Sequence, residues 1–119
     1  MRKLCAALVT VFLFVVVAPA LAAEITGNLV DQDCYTKDKA AVTHPECDAA
    51  GAKKGQPVIL VTDTGEIYII AGDMTKNNNA RLMKFMSQKV TIVGSLGVDG
   101  KGQKLMFGSA MRRVAKPAA

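Results

Sequence analysis

Three side chains in one short stretch hold most of the chemistry this sequence offers: Cys34, His44 and Cys47. Two thiols and an imidazole can act in three ways. The cysteines can close a disulfide, whose short loop is worth about 3 kcal/mol in the chain-entropy model. Alternatively, Cys-x9-His-x2-Cys can hold a metal, since thiolate and imidazole together suit zinc or cuprous copper. A closed zinc site needs a fourth ligand, which Asp33, Glu46 or Asp48 would have to supply as an oxygen. Three soft ligands alone suit cuprous copper better. Bridge and metal exclude one another at any one moment, because a bridged sulfur is no longer a thiolate. Last, Cys34 could be a nucleophile with His44 as its base, a role that oxidation would silence.

Other catalytic arrangements have little material. His44 is the single histidine. Ser87, Ser95 and Ser109 are far from it in sequence, and none has a nucleophile-elbow setting. Asp31 and Asp33, two apart, share one side of a strand end, where they could meet a cation or simply terminate the strand. Gly94-Ser95-Leu96-Gly97 lacks the surroundings of a phosphate-cradling loop. Met74, Met83, Met86, Met106 and Met111 are unclustered and read as core packing rather than as copper ligands. No resident cofactor and no enzymatic activity are expected. Tyr35 and Tyr68 are the aromatic side chains best placed to meet a partner or small ligand.

Whether the cysteines bridge depends on compartment. Arg2 and Lys3 precede a 15-residue apolar stretch, Leu4 to Ala18, interrupted only by Thr10. Pro19 breaks it, and Ala20-Leu21-Ala22 is a small-x-small site. Residues 1–23 are therefore expected to be a Sec-type signal peptide, cut after Ala22 or Ala23, leaving no stable membrane anchor. Cys5 leaves with it. The expected location is periplasmic or secreted, where paired cysteines oxidise. Arg2 and Lys3 are the signal's only charged residues, so 13 basic and 10 acidic side chains remain, net +3. A balance this mild, in an exported chain, argues against nucleic acid. The small size of the remainder excludes a multi-site enzyme or a long bundle. Two cysteines exclude a disulfide-dense mini-protein.

The elements that must position these residues read as mainly β. Strands are expected over Ile25–Val30, Pro57–Thr62, Glu66–Ile70, Val90–Leu96 and Lys104–Val114, the last with Leu105, Phe107 and Met111 as its apolar residues. Gly27 marks a bulge or tight bend, and Asp63-Thr64-Gly65 and Asp99-Gly100-Lys101-Gly102 are turns. Asp31 to Gln56 reads as a long polar loop with a helical turn at most near Ala40-Ala41-Val42, and loops of that length are often functional. Asn77-Asn78-Asn79 offers N-cap side chains to a short helix over Ala80–Gln88. In that helix Leu82, Phe85 and Met86 would share a face and plug one end of a barrel. Five strands with one helix between the third and fourth match an OB-fold-like Greek-key barrel spanning residues 24–115, ahead of a disordered tail, 116–119. An open sheet covered by the same helix is the alternative.

The chain also resembles small exported bacterial proteins of OB-fold type. The resemblance rests on Gly27-Asn28-Leu29-Val30-Asp31, Cys34-Tyr35, His44-Pro45-Glu46-Cys47, Gly55-Gln56-Pro57-Val58, Gly65-Glu66-Ile67-Tyr68 and Lys89-Val90-Thr91-Ile92-Val93-Gly94. It implies a secreted or periplasmic β-barrel from a group whose members mostly lack an assigned activity. In similar proteins a further cysteine commonly follows the His-x-x-Cys unit by four positions. Gly51 stands there in this chain, which weakens any metal site carried over. The expectation is a non-enzymatic exported binding module with a Cys34–Cys47 bridge securing the long loop. The alternative is a periplasmic copper or zinc protein using Cys34, His44 and Cys47.

Overall fold

Five strands form in the computed structural model, which describes residues 22–114. The expected signal over 1–23 lies outside the described residues except for its last two positions, and the tail over 116–119 lies outside them entirely. The strands are β1 (Ala23–Asp31), β2 (Val58–Val61), β3 (Ile67–Ala71), β4 (Lys89–Val98) and β5 (Lys104–Arg113). They pair in the order β1-β2-β3-β5-β4, and β4 pairs with β1, so the sheet closes in a ring. Every pairing is antiparallel except that of β3 with β5, which makes the sheet mixed.

β1 closes the ring by serving two partners. Its Ala23–Asn28 stretch pairs with β4, and its Asn28–Asp31 stretch pairs with β2. The change of partner brings backbone against backbone at Gly27, where an added Cβ would lie 2.5 Å from the Val61 carbonyl oxygen. The tight bend expected there is thus a close approach that only glycine permits.

Period-two alternation fills the interior. Leu29, Leu60, Ile70, Val90, Ile92 and Met106 are buried in one cluster, and the pairs Leu60↔Tyr68 and Ile70↔Met106 face it together. On β5 Met106 points inward as its core reading requires and Met111 packs against the same cluster, while the apolar Leu105 and Phe107 belong to the outer surface.

Two segments differ from the sequence expectation. The long polar loop is instead two helices, α1 (Gln32–Lys37) and α2 (Pro45–Lys53), joined by a link that bends over residues 39–42. Asp31 caps α1, its carboxylate accepting from Cys34 N–H at 3.1 Å. Pro45 begins α2, where its fixed φ suits the first turn. The helix expected over Ala80–Gln88 is absent; only Met83–Phe85 forms a 3₁₀ turn. A second 3₁₀ turn occupies Gly72–Thr75. Asn77, Asn78 and Asn79 do not act as N-caps. They adopt left-handed φ of 56°, 53° and 59°, which asparagine tolerates better than most residues. Leu82 and Met86 are nonetheless buried in the interior cluster with Phe85 packed against it, because a 3₁₀ turn also brings i and i+3 together.

A candidate binding groove beside a disulfide-bridged cap

Cys34 of α1 and Cys47 of α2 are joined by a disulfide, with Cα atoms 6.0 Å apart. The pair sits asymmetrically: Cys34 is buried, whereas Cys47 is exposed in the first turn of α2. The bridge is not the cap's only fastening. Asp48 is fully buried on α2 and receives three hydrogen bonds. Asp31 N–H donates to its Oδ1 at 3.0 Å. His44 N–H and Ser87 Oγ–H donate to its Oδ2 at 2.9 and 2.5 Å. One side chain therefore ties α2 to β1, to its own first turn and to the segment before β4. Asn79 adds a further tie, its Nδ2 donating to the Ala52 and Gln56 carbonyls at 3.0 Å each.

Asp31 pays for this closeness. Its side chain is fully buried, and its Oδ1 has no hydrogen-bond partner among the described residues. Burial raises its pKa above 3.8, the bond from Cys34 N–H opposes that, and the nearby Asp33 and Asp48 carboxylates add to the rise. α2 can approach because position 51 is glycine; a Cβ there would overlap the Asp31 carboxyl group.

The cap covers half of an apolar outer surface. Val30, Ile59 and Val61 point out of the ring on β1 and β2, and Tyr35, Val42 and Ile69 pack over them. The other half is open. Register places Ile67 and Ile69 of β3 on one outer face with Leu105 and Phe107 of β5. Ile67 and Phe107 are 39% and 41% exposed. A groove of about 360 Å³ runs here between Gln32, at the start of α1, and Gly102-Gln103-Lys104, at the β4–β5 turn, with Ile67 and Ile69 as its apolar lining. Lys104 also lines the groove, while its Nζ turns to the Tyr68 side of the sheet, 3.5 Å from Glu66 Oε1 and 5.3 Å from the Tyr68 ring centre.

The structure places the expected site residues differently from one another. Cys34 and Cys47 are together, in the bridge. His44 is beside them in sequence, but its Nε2–H donates to the Asp38 carbonyl at 2.9 Å. Bridged sulfurs offer no thiolate, Asp48 is committed to three donors, and Glu46 and Asp33 are exposed. No group of three His, Cys, Asp or Glu among the described residues is placed to hold a metal. Tyr35 lies at the covered half of the outer surface. Tyr68, expected to share a contact region with it, is in the interior and on the opposite face of the sheet, because its register partner Leu60 points inward. Its hydroxyl donates to Glu66 Oε2 at 3.0 Å, which with burial raises the phenol pKa.

Gln32, Ile67, Ile69, Gln103, Lys104 and Phe107 were not singled out by motif reasoning. The signal for part of this set was present: Ile67-Tyr68-Ile69-Ile70 is apolar on both faces, unlike a strand whose outer face is merely solvated. No family model, curated protein or solved structure matches the chain.

Proposed function

We propose that the chain is an exported, non-enzymatic binding module of OB-fold type that recognises its ligand in the groove over β3 and β5. The ring order, with β3 parallel to β5, supports the OB-fold reading. In that fold the outer face of the second and third strands, flanked by the loops after the first and fourth, is where ligands are held. The groove matches that place in part, with Gln32 contributed by the segment after β1, Ile67 and Ile69 by β3 and Gly102–Lys104 by the β4–β5 turn, while the outer face of β2 lies under the cap. The disulfide fits export, since such bridges persist in oxidising compartments.

The observation that carries the reading is the half-covered apolar surface. The cap seals Val30, Ile59 and Val61 but leaves Ile67 exposed and Ile69 half-buried beside a polar rim of Gln32, Gln103 and Lys104. A ligand presenting an apolar group and flanking polar atoms fits such a lining. A fragment screen read by backbone and methyl NMR tests it. Binders are expected to shift Ile67, Ile69, Gln103 and Lys104 together. Binders that shift other surfaces and leave these four unmoved would overturn the proposal.

A further inference from the structure

A second cavity, of about 310 Å³, opens between β5 and the segment joining β3 to β4. Met74, Phe85 and Met111 give it an apolar floor, and Arg81 and Lys84 are its only charged lining residues. It shares no residue with the β3–β5 groove. Neither Arg81 nor Lys84 joins an ion pair among the described residues. Asp73, an acid close in sequence, is bonded to Lys76 at 2.9 Å and feels the Arg81 charge only more weakly. A third cation reinforces the field: the Arg113 guanidinium stands 5.0 Å from the Phe85 ring centre and donates to the Lys84 carbonyl.

The backbone that presents these cations is fixed at both ends. Before it, Asn79 is buried and bonded to the Ala52 and Gln56 carbonyls. After it, Ser87 adopts φ 61° and donates to Asp48. Little ordering cost would therefore accompany binding.

We propose that this pocket binds an amphiphilic carboxylate, with the carboxylate between Arg81 and Lys84 and a short aliphatic chain along Met74, Phe85 and Met111. Each half of the pocket asks for one half of that molecule. Unpaired cations favour an oxyanion, and a guanidinium can hold a carboxylate through two parallel hydrogen bonds. Methionine thioethers adapt to a flexible chain. A simple anion would leave the apolar floor wet, and a neutral chain would leave Lys84 with only the Phe85 ring, 5.2 Å away, and Arg81 with only the more distant Asp73. The volume, at the small end of ligand sites, calls for a short chain.

Methionine-methyl NMR on the full chain tests this with octanoate, octanol and acetate. Octanoate is expected to shift the methyls of Met74 and Met111 while leaving the groove residues Ile67 and Ile69 unmoved. Octanol is expected to bind at least about tenfold more weakly, and acetate to move neither methyl. Arg81→Gln and Lys84→Gln are each expected to weaken octanoate about tenfold and leave octanol unchanged. Absence of methyl shifts at millimolar octanoate overturns the proposal. So does equal affinity for octanol, an identical response to acetate, or full octanoate affinity in both glutamine variants.

Discussion

Removing the disulfide is the perturbation whose size the structure fixes best. Cys34 and Cys47 are 13 residues apart, and closing a loop of that length removes about 3 kcal/mol of chain entropy from the unfolded state. The folded cap has fastenings besides the bridge, because three hydrogen bonds, from Asp31 and Ser87 to Asp48 and from Asn79 to Ala52, tie α2 to the rest of the chain. A Cys34→Ala, Cys47→Ser chain is therefore expected to fold, with its near-ultraviolet circular dichroism retained. Its melting temperature should fall by about 12–24 °C, since 1 kcal/mol corresponds to about 4–8 °C in a domain of this size. Urea titration should show a lower midpoint and a steeper slope, because an unbridged unfolded chain exposes more surface. A fall of less than about 4 °C would refute the reasoning from the unfolded state. Loss of the cooperative transition would refute it from the other side, by showing that the bridge and not Asp48 holds the cap.

Three further outcomes follow from the cap. Asp48→Ala strands the donors of Asp31, His44 and Ser87 and is expected to cost about 3–5 kcal/mol in chemical denaturation, against about 1–3 kcal/mol for Ser87→Ala; equal costs would contradict the three-way role. Asp31→Asn keeps an acceptor for Cys34 N–H and removes a buried charge. Because the folded pKa of Asp31 is raised, wild-type stability falls as pH rises from 3.8 through that raised value. The asparagine variant should thus gain about 1 kcal/mol at neutral pH and lose the advantage in acid, and a gain independent of pH would contradict the assignment. Gly51→Ala drives a methyl into the Asp31 carboxyl group and is expected to cost about 1–3 kcal/mol, with the loss visible as reduced amide-exchange protection in α2.

The strands were legible because alternation is a local signal. Leu60, Ile70, Val90 and Ile92 declare their faces within a few residues. The outward facing of Leu105 and Phe107 was not legible, since Lys104-Leu105-Met106-Phe107 has apolar residues on both faces and only pairing with β3 decides which set is inward. α2 was illegible for the opposite reason. Its Ala49-Ala50-Gly51-Ala52 run has almost no apolar periodicity, and its stability comes from Asp48, Asn79 and the bridge, all of which depend on distant chain. Pro45 was its only local sign, as the Asp31 cap was for α1. Around Leu82 and Phe85 the spacing was read correctly but the helix type was not, because i, i+3 contacts are common to α and 3₁₀ turns. The bridge was one of two open readings from the cysteines alone. The groove lay beyond sequence reasoning, because β3, the β4–β5 turn and Gln32 meet only when the ring closes.

The most direct measurement on the central claim uses Ile67→Asp. Ile67 lines the groove and is about two-fifths exposed, so a charged side chain there can reach water without opening the interior. The account predicts an unchanged circular dichroism spectrum and at least a tenfold loss of affinity for fragments that bind the β3–β5 groove. Undiminished affinity in a folded Ile67→Asp chain would contradict it.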